Sequence, residues 1–233
     1  MLKAFITNLG KYNEGELCGE WLSLPATKED LEGLLARIAV DGVVYEEIFI
    51  SDYDSDIDNL THRLGEYESI DELNYLAALI DELGDNVKFE SVIEYGESTS
   101  SVKELINLAL NMDKYDLFTE VTEYDDLGRY YVEELGGMDV PSHLAPYIDY
   151  EALGRDLHID LGGVFTDNGY VLDGQDTLKE YYTGRDDLPE EHKIFSYPPL
   201  PEKMPVKEQL ELYGKMSMGQ QIADALDRAR AER

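Results

Sequence analysis

The stretch Ser51–Asn59, SDYDSDIDN, places Asp52, Asp54, Asp56 and Asp58 at every second position. Carboxylates spaced this way suit a calcium loop or a solvated acidic edge. They also suit a stand-in for another polymer with regularly spaced negative charge. A helix–loop–helix calcium loop needs oxygen ligands at positions 1, 3 and 5, glycine at 6 and a bidentate glutamate at 12. Counted from Asp54, position 6 is Asn59 and position 12 is Gly65; counted from Asp52, they are Ile57 and Arg63. Both registers fail. His62, His143, His158 and His192 sit in unrelated contexts, none within HExxH and none beside a cysteine at metal spacing. Cys18, the one cysteine, falls in a predicted strand and reads as a small apolar residue. No GxSxG or GxxxxGK[ST] occurs. Among 51 acidic residues, paired carboxylates carry no information about acid–base catalysis. The sequence thus points away from an enzyme, a cofactor and a metal.

The 17 tyrosines repeatedly sit beside acids, as in Asp52-Tyr53-Asp54, Glu66-Tyr67-Glu68, Glu123-Tyr124-Asp125 and Asp149-Tyr150-Glu151. Single-strand nucleic-acid binders set aromatics among lysines and arginines. Here the sign is reversed. Tyrosines in this setting either anchor by the ring with a wet hydroxyl or line a protein-binding surface.

The formal net charge is −32, from 51 acidic and 19 basic residues. It is uneven: residues 1–172 hold 38 acidic and 10 basic residues, a net of −28, and residues 173–233 hold 13 and 9, a net of −4. Such a surface repels nucleic acid and anionic membranes and attracts cationic grooves. Duplex DNA carries about one charge per 1.7 Å of axis. Alternate residues of a strand face one way about 6.6 Å apart. Several acidic ladders and helix faces together approach duplex density. Halophile-type acidity is the competing explanation, but it would acidify the tail as well.

The elements that must position these acids can be read along the chain. LKAFITNL and LCGEWLSLP predict two strands, with KYNEG as the turn between them. Thr27–Asp30 opens a helix through LEGLLARIAV, and VVYEEIFISDYD predicts a third strand with the aspartates at or just beyond its end. Ser69–Glu72 and Ser101–Glu104 are capping boxes for two more helices, and VKFESVIEY is a further short one. Thr122–Asp125 starts a helix through LGRYYVEEL that Gly136-Gly137 ends. Pro141-Ser142 begins a short helical turn, IDYEALGRDL is another helix, and GVFTDNGYVL is a hairpin about Asp167-Asn168-Gly169. SYPPLPEKMP reads as an extended linker, followed by a tail helix with Met218, Ile222, Ala225 and Leu226 on one face. The fold class is α+β: an N-terminal α/β domain (1–62), a helical acidic domain (63–120), an α/β domain (121–172) and a linker-and-helix extension (173–233). The single cysteine, the lack of a signal-peptide core and the lack of a long apolar run predict a soluble cytoplasmic protein.

Asn8-Leu9-Gly10-Lys11-Tyr12-Asn13-Glu14-Gly15 with Leu17, Gly19 and Trp21 resembles the opening of the ArdA family of antirestriction proteins, as does Tyr45-Glu46-Glu47 with Ile50 and Asp52-Tyr53. A third block runs from Gly128-Arg129-Tyr130-Tyr131-Val132-Glu133-Glu134 through Val140-Pro141 and Tyr147-Ile148-Asp149-Tyr150-Glu151-Ala152 to Gly154-Arg155-Asp156. It is similar to that family's antirestriction motif region. The resemblance covers about residues 4–172 and leaves the tail outside. It implies an elongated, dimeric, acidic mimic of duplex DNA. Such a mimic occupies the DNA-binding groove of type I restriction-modification enzymes and shields mobile DNA. Under that reading the acidic surface comprises Asp52, Asp54, Asp56, Asp58, Glu66, Glu68, Asp71, Glu72, Asp81, Glu82, Glu94, Asp113, Asp116, Glu120, Glu123, Asp125 and Asp126. The motif, placed near the dimer contact, comprises Tyr130, Tyr131, Glu133, Glu134, Pro141, Tyr147, Asp149, Tyr150, Arg155 and Asp156. A rival is an acidic module that binds a different cationic DNA-binding protein. Crowded carboxylates are further expected to have raised pKa values, so that stability rises as pH falls.

Overall fold

A computed structural model describes residues 1–84, 86–96, 98–174 and 178–199. The chain opens with β1 (Leu2–Asn8), whose alternation sends Leu2, Ala4 and Ile6 into the core. Asn8 ends the strand and caps α1 (Leu9–Asn13), accepting from the Lys11 N–H at 3.0 Å. The same buried side chain donates to the Ile38 and Ala39 carbonyls at 3.0 and 3.2 Å. β2 (Gly19–Leu24) and β3 (Ile48–Ser55) flank β1, both antiparallel, in the order β2-β1-β3. Between them α2 (Lys28–Arg37) covers the inner face with Leu31, Leu34 and Leu35, and its Thr27–Asp30 capping box forms as expected. β3 begins later than its sequence suggests, because residues 43–47 form a connection tied to the Asp41 carboxylate.

One irregularity in β3 decides where the aspartates point. Ile6 pairs with Ile50, but Phe5 pairs with Asp52, so Ser51 is an extra residue in β3. In a regular strand residues 50, 52 and 54 would share a face, and the aspartates would follow Ile50 into the core. The bulge reverses the alternation after Ile50. Tyr53 takes the inward place opposite Ala4, while Asp52 and Asp54 stand outside opposite Phe5 and Lys3.

α3 (Ile70–Leu83), α4 (Asn86–Tyr95) and α5 (Val102–Leu110) follow. Ser69 and Ser101 cap α3 and α5 through the N–H groups of Glu72 and Glu104. Glu72 does not return the capping-box bond, since its carboxylate is held elsewhere. A second sheet, not anticipated at its first strand, has the order β4-β6-β5: β4 (Tyr115–Phe118), β5 (Val164–Thr166) and β6 (Gly169–Asp173). The last two form the expected hairpin. α6 (Tyr124–Arg129) has Glu123 as its cap residue, and Thr122 binds Asp126 rather than Asp125. The helix widens into a π-turn over Tyr130–Glu134 before Gly136, at positive φ, closes it. α7 (Tyr150–Leu161) is capped by Asp149.

α6 and α7 cross almost backbone to backbone. A β-carbon at Gly154 would lie 1.8 Å from the Tyr124 carbonyl oxygen, and one at Gly128 would lie 2.1 Å from that of Tyr150. Only glycine permits this approach. A contiguous apolar cluster runs from Leu2 through the three middle helices to Tyr115 and Val171, and takes in Tyr182, Leu188 and Ile194. A smaller one gathers Val121, Leu127 and Tyr170. The apolar stripe expected at Met218–Leu226 lies outside the described residues.

Candidate functional site

The expected acids fall into three groups. Asp52, Asp54, Asp56, Asp58, Glu66, Asp81, Glu82, Asp113, Asp116, Glu120 and Glu123 are exposed. Glu68, Asp71, Glu94, Asp125 and Asp126 are half-buried. Glu72 is buried, at 8% exposure, and is therefore not part of an exposed acidic surface. Its carboxylate accepts from the Tyr182 hydroxyl and from Arg185 Nε, each at 2.9 Å. Burial, then Glu72, raises the Tyr182 pKa above its ordinary range. Asp71 is also spent internally, accepting from the Ile194 and Phe195 N–H groups at 2.8 and 2.7 Å. Glu94 accepts from the Asp167 N–H at 3.1 Å, which fastens α4 to the β5–β6 turn.

The aspartate ladder divides as the bulge dictates. Asp54 pairs with Lys3 at 2.7 Å, and Asp56 pairs with the N-terminal ammonium. Asp52 accepts from the Tyr53 N–H at 2.9 Å, and Asp58 lies in the turn beyond the strand. No group of three or more His, Cys, Asp or Glu placed to hold a metal occurs among the described residues.

Cations are absorbed locally. Lys3, Lys11, Lys28, Arg37, Lys103, Lys114, Arg129 and Arg155 each meet a carboxylate. Asp58, Glu66, Asp81, Glu82, Asp116, Glu120 and Glu123 have no ion-pair partner among the described residues. These seven belong to an uncompensated surface on which Glu29, Glu46, Asp52, Glu134, Asp139 and Asp156 are likewise exposed without an ion pair among the described residues. Tyr12, Phe49 and Tyr67 add an aromatic edge beside Glu66, with ring centroids 5.1 and 6.4 Å apart.

Among the described residues, Glu20, Asp30, Asp56, Asp126 and Asp187 all move below their ordinary range. The leading causes are hydrogen bonds from Arg37, the Thr27 hydroxyl, the N-terminal ammonium, the Thr122 N–H and the Thr183 hydroxyl, in that order. The expected rise of stability toward low pH is therefore reversed for these groups. Donors to Asp30, Glu20 and Asp126 at 2.7, 2.9 and 3.1 Å favour the ionised form more than partial burial opposes it.

The motif residues build the α6–α7 crossing. Arg129 lies over the Tyr150 ring, 4.4 Å from its centroid, and Arg155 lies over Tyr124 at 5.9 Å. Each arginine is held by a carboxylate on its own helix, Asp125 at 2.5 Å and Glu151 at 2.7 Å. Tyr150 is buried within the crossing. Glu133, Glu134, Pro141, Asp149 and Asp156 are exposed, and Tyr130 and Tyr131 are half-buried. Tyr147, at 84% exposure, and Leu135, Met138 and Leu144 are exposed along the segment between the helices. Sequence reasoning missed Asn107 and Asn111, which bind the main chain of residues 179–182. Two asparagines one turn apart on an otherwise apolar helix face were the signal.

Fold and surface together define an acidic α+β protein that presents fixed carboxylates. The family model for antirestriction protein (ArdA) matches residues 4–172, and the chain belongs to that family. It is an antirestriction protein. No curated protein matches the chain. No helix among the described residues is long and apolar enough to cross a membrane.

Proposed function

We propose that the protein mimics double-stranded DNA and occupies the DNA-binding groove of a type I restriction-modification enzyme, protecting mobile DNA. The observation that carries this reading is the set of seven exposed carboxylates without cations, on a body of net charge −28 whose basic residues are largely paired. Inhibition is by occupancy, in the cytoplasm, with no covalent step. In this reading the units 1–62, 63–120 and 121–172 present their charge in succession. Two copies associate through the α6–α7 loop, where Leu135, Met138, Leu144 and Tyr147 offer exposed apolar surface.

The test is a titration of a purified type I enzyme bound to labelled duplex. The protein should displace the duplex competitively, and displacement should weaken as salt rises, since screening acts on exposed charge. Failure to displace, or displacement indifferent to salt, refutes the mimicry. Displacement of duplex from a nucleoid or repair protein but not from a type I enzyme would establish the rival target.

A further inference from the structure

The segment Leu178–Pro199 lies beyond residue 172, where the family match ends. Side chains of the middle helices read its main chain. Asn111 donates to the Lys179 carbonyl at 2.9 Å and accepts from the Lys179 N–H at 3.0 Å. Asn107, one turn earlier on α5, accepts from the Tyr181 and Tyr182 N–H groups at 2.8 and 2.9 Å and donates to the Tyr182 carbonyl at 2.7 Å. On α3, Asp71 accepts from Ile194 and Phe195, and Asn74 donates to the His192 carbonyl at 3.5 Å.

A carboxamide offers a donor and an acceptor side by side, as a neighbouring strand does. The four residues from Asn107 to Asn111 advance about 6 Å along the helix and two extended residues about 6.6 Å, so the paired asparagines match the repeat of an extended chain. Asn74 and Asn111 are 2% and 1% exposed. The segment supplies part of the hydrogen bonding that buried amides ordinarily keep. Side-chain anchors supply selectivity. The Tyr182 ring packs against Tyr75 at 5.9 Å, and its hydroxyl and Arg185 share the Glu72 carboxylate. At the far end Tyr197 lies against Gly42 and donates to the Glu46 carbonyl at 2.9 Å, while Ser196 binds Glu32.

We propose that the α3–α5 face is a binding groove for an extended peptide backbone and that residues 178–199 are a ligand carried in cis. Asn107, Asn111 and Asp71 recognise its main chain, with Tyr182 and Arg185 as anchors at Glu72. The segment then clasps the first sheet unit to the middle helices through a separable binding interaction. This proposal stands apart from the DNA-mimic reading, because its test involves no restriction enzyme.

The test uses the full chain with a protease site introduced at residues 175–177. After native cleavage, the C-terminal piece should co-elute with the body on gel filtration. Excess synthetic peptide spanning 178–199 should displace it, and a scrambled peptide should not. A peptide N-methylated at Lys179 and Tyr182 keeps every side chain and loses two N–H donors; it should compete about tenfold less well. A peptide carrying Tyr182→Ala and Arg185→Ala should also compete more weakly. All peptides compete for the same cleaved body, so differences between them do not reflect its folding. Loss of the cut piece without competitor, or equal competition by the scrambled or N-methylated peptide, overturns the proposal.

Discussion

Replacing Gly154 by alanine tests whether the family's motif region is first of all a helix crossing. A β-carbon there would sit 1.8 Å from the Tyr124 carbonyl oxygen and 2.7 Å from its carbon, and both are backbone atoms that cannot rotate away. Real contacts of this kind do not fall under 3.0 Å, so α6 and α7 must separate by about an ångström. A gap of that size forfeits roughly a quarter to a half of each contact's dispersion energy. Here it opens beside Val121, Leu127 and Tyr170. Overpacking of this type costs about 1–3 kcal/mol or more, and alanine's better helix propensity returns up to about 1 kcal/mol. The net expectation is a loss of about 2 kcal/mol, or about 4–8 °C in Tm for a chain of this size. Thermal denaturation followed by circular dichroism measures it. Gly33→Ala is the control: it lies within α2 and meets only the flexible end of Arg37 at 3.3 Å. That variant should gain about 0.5–1 kcal/mol. A Gly154→Ala protein that melts at or above the parent refutes the close crossing.

Neutralising the seven unpaired acids one at a time, by Asp→Asn or Glu→Gln, should each weaken competition with duplex by about twofold at most. Neutralising all seven should weaken it at least about thirtyfold, and a single change that abolishes binding would refute a distributed field. Raising salt from low to moderate concentration should raise Tm by screening self-repulsion, and a flat response in a melting series would contradict this. The pKa values of Asp56 and Asp126 are lowered by folding, so their stabilisation is present above about pH 4 and lost as pH falls through the folded values. Urea titrations at pH 6 and pH 3 should therefore show lower stability at the acidic end, with Asp126→Asn losing less over that interval than the parent.

Local signals were the most legible. Thr27, Ser69 and Ser101 each mark a helix start because a short hydroxyl beside a free N–H is a local arrangement. The Asp167-Asn168-Gly169 hairpin is equally local. β4 was hidden: four residues are too few to show alternation, and their partner in β6 lies more than fifty residues away. The spacing of the aspartates was plain, but their direction was not. It depends on one extra residue at Ser51, which only the pairing with β1 exposes. Glu72 shows a different limit. Its place in a helix-start motif suggested a surface acid, and contacts with Tyr182 and Arg185, 110 and 113 residues away, bury it.

The Ser51 bulge has a further consequence for solubility. β3 is an outer strand of its sheet, and β4 is an outer strand of the other. Open strand edges recruit other chains, and proteins commonly guard them with charge and with bulges. Asp52 and Asp54 place two carboxylates on β3 next to its bulge, and Asp116 places one on the four-residue β4. The same groups that carry the surface charge thus deter intermolecular sheet growth, so a version stripped of them would be more prone to fibrous association.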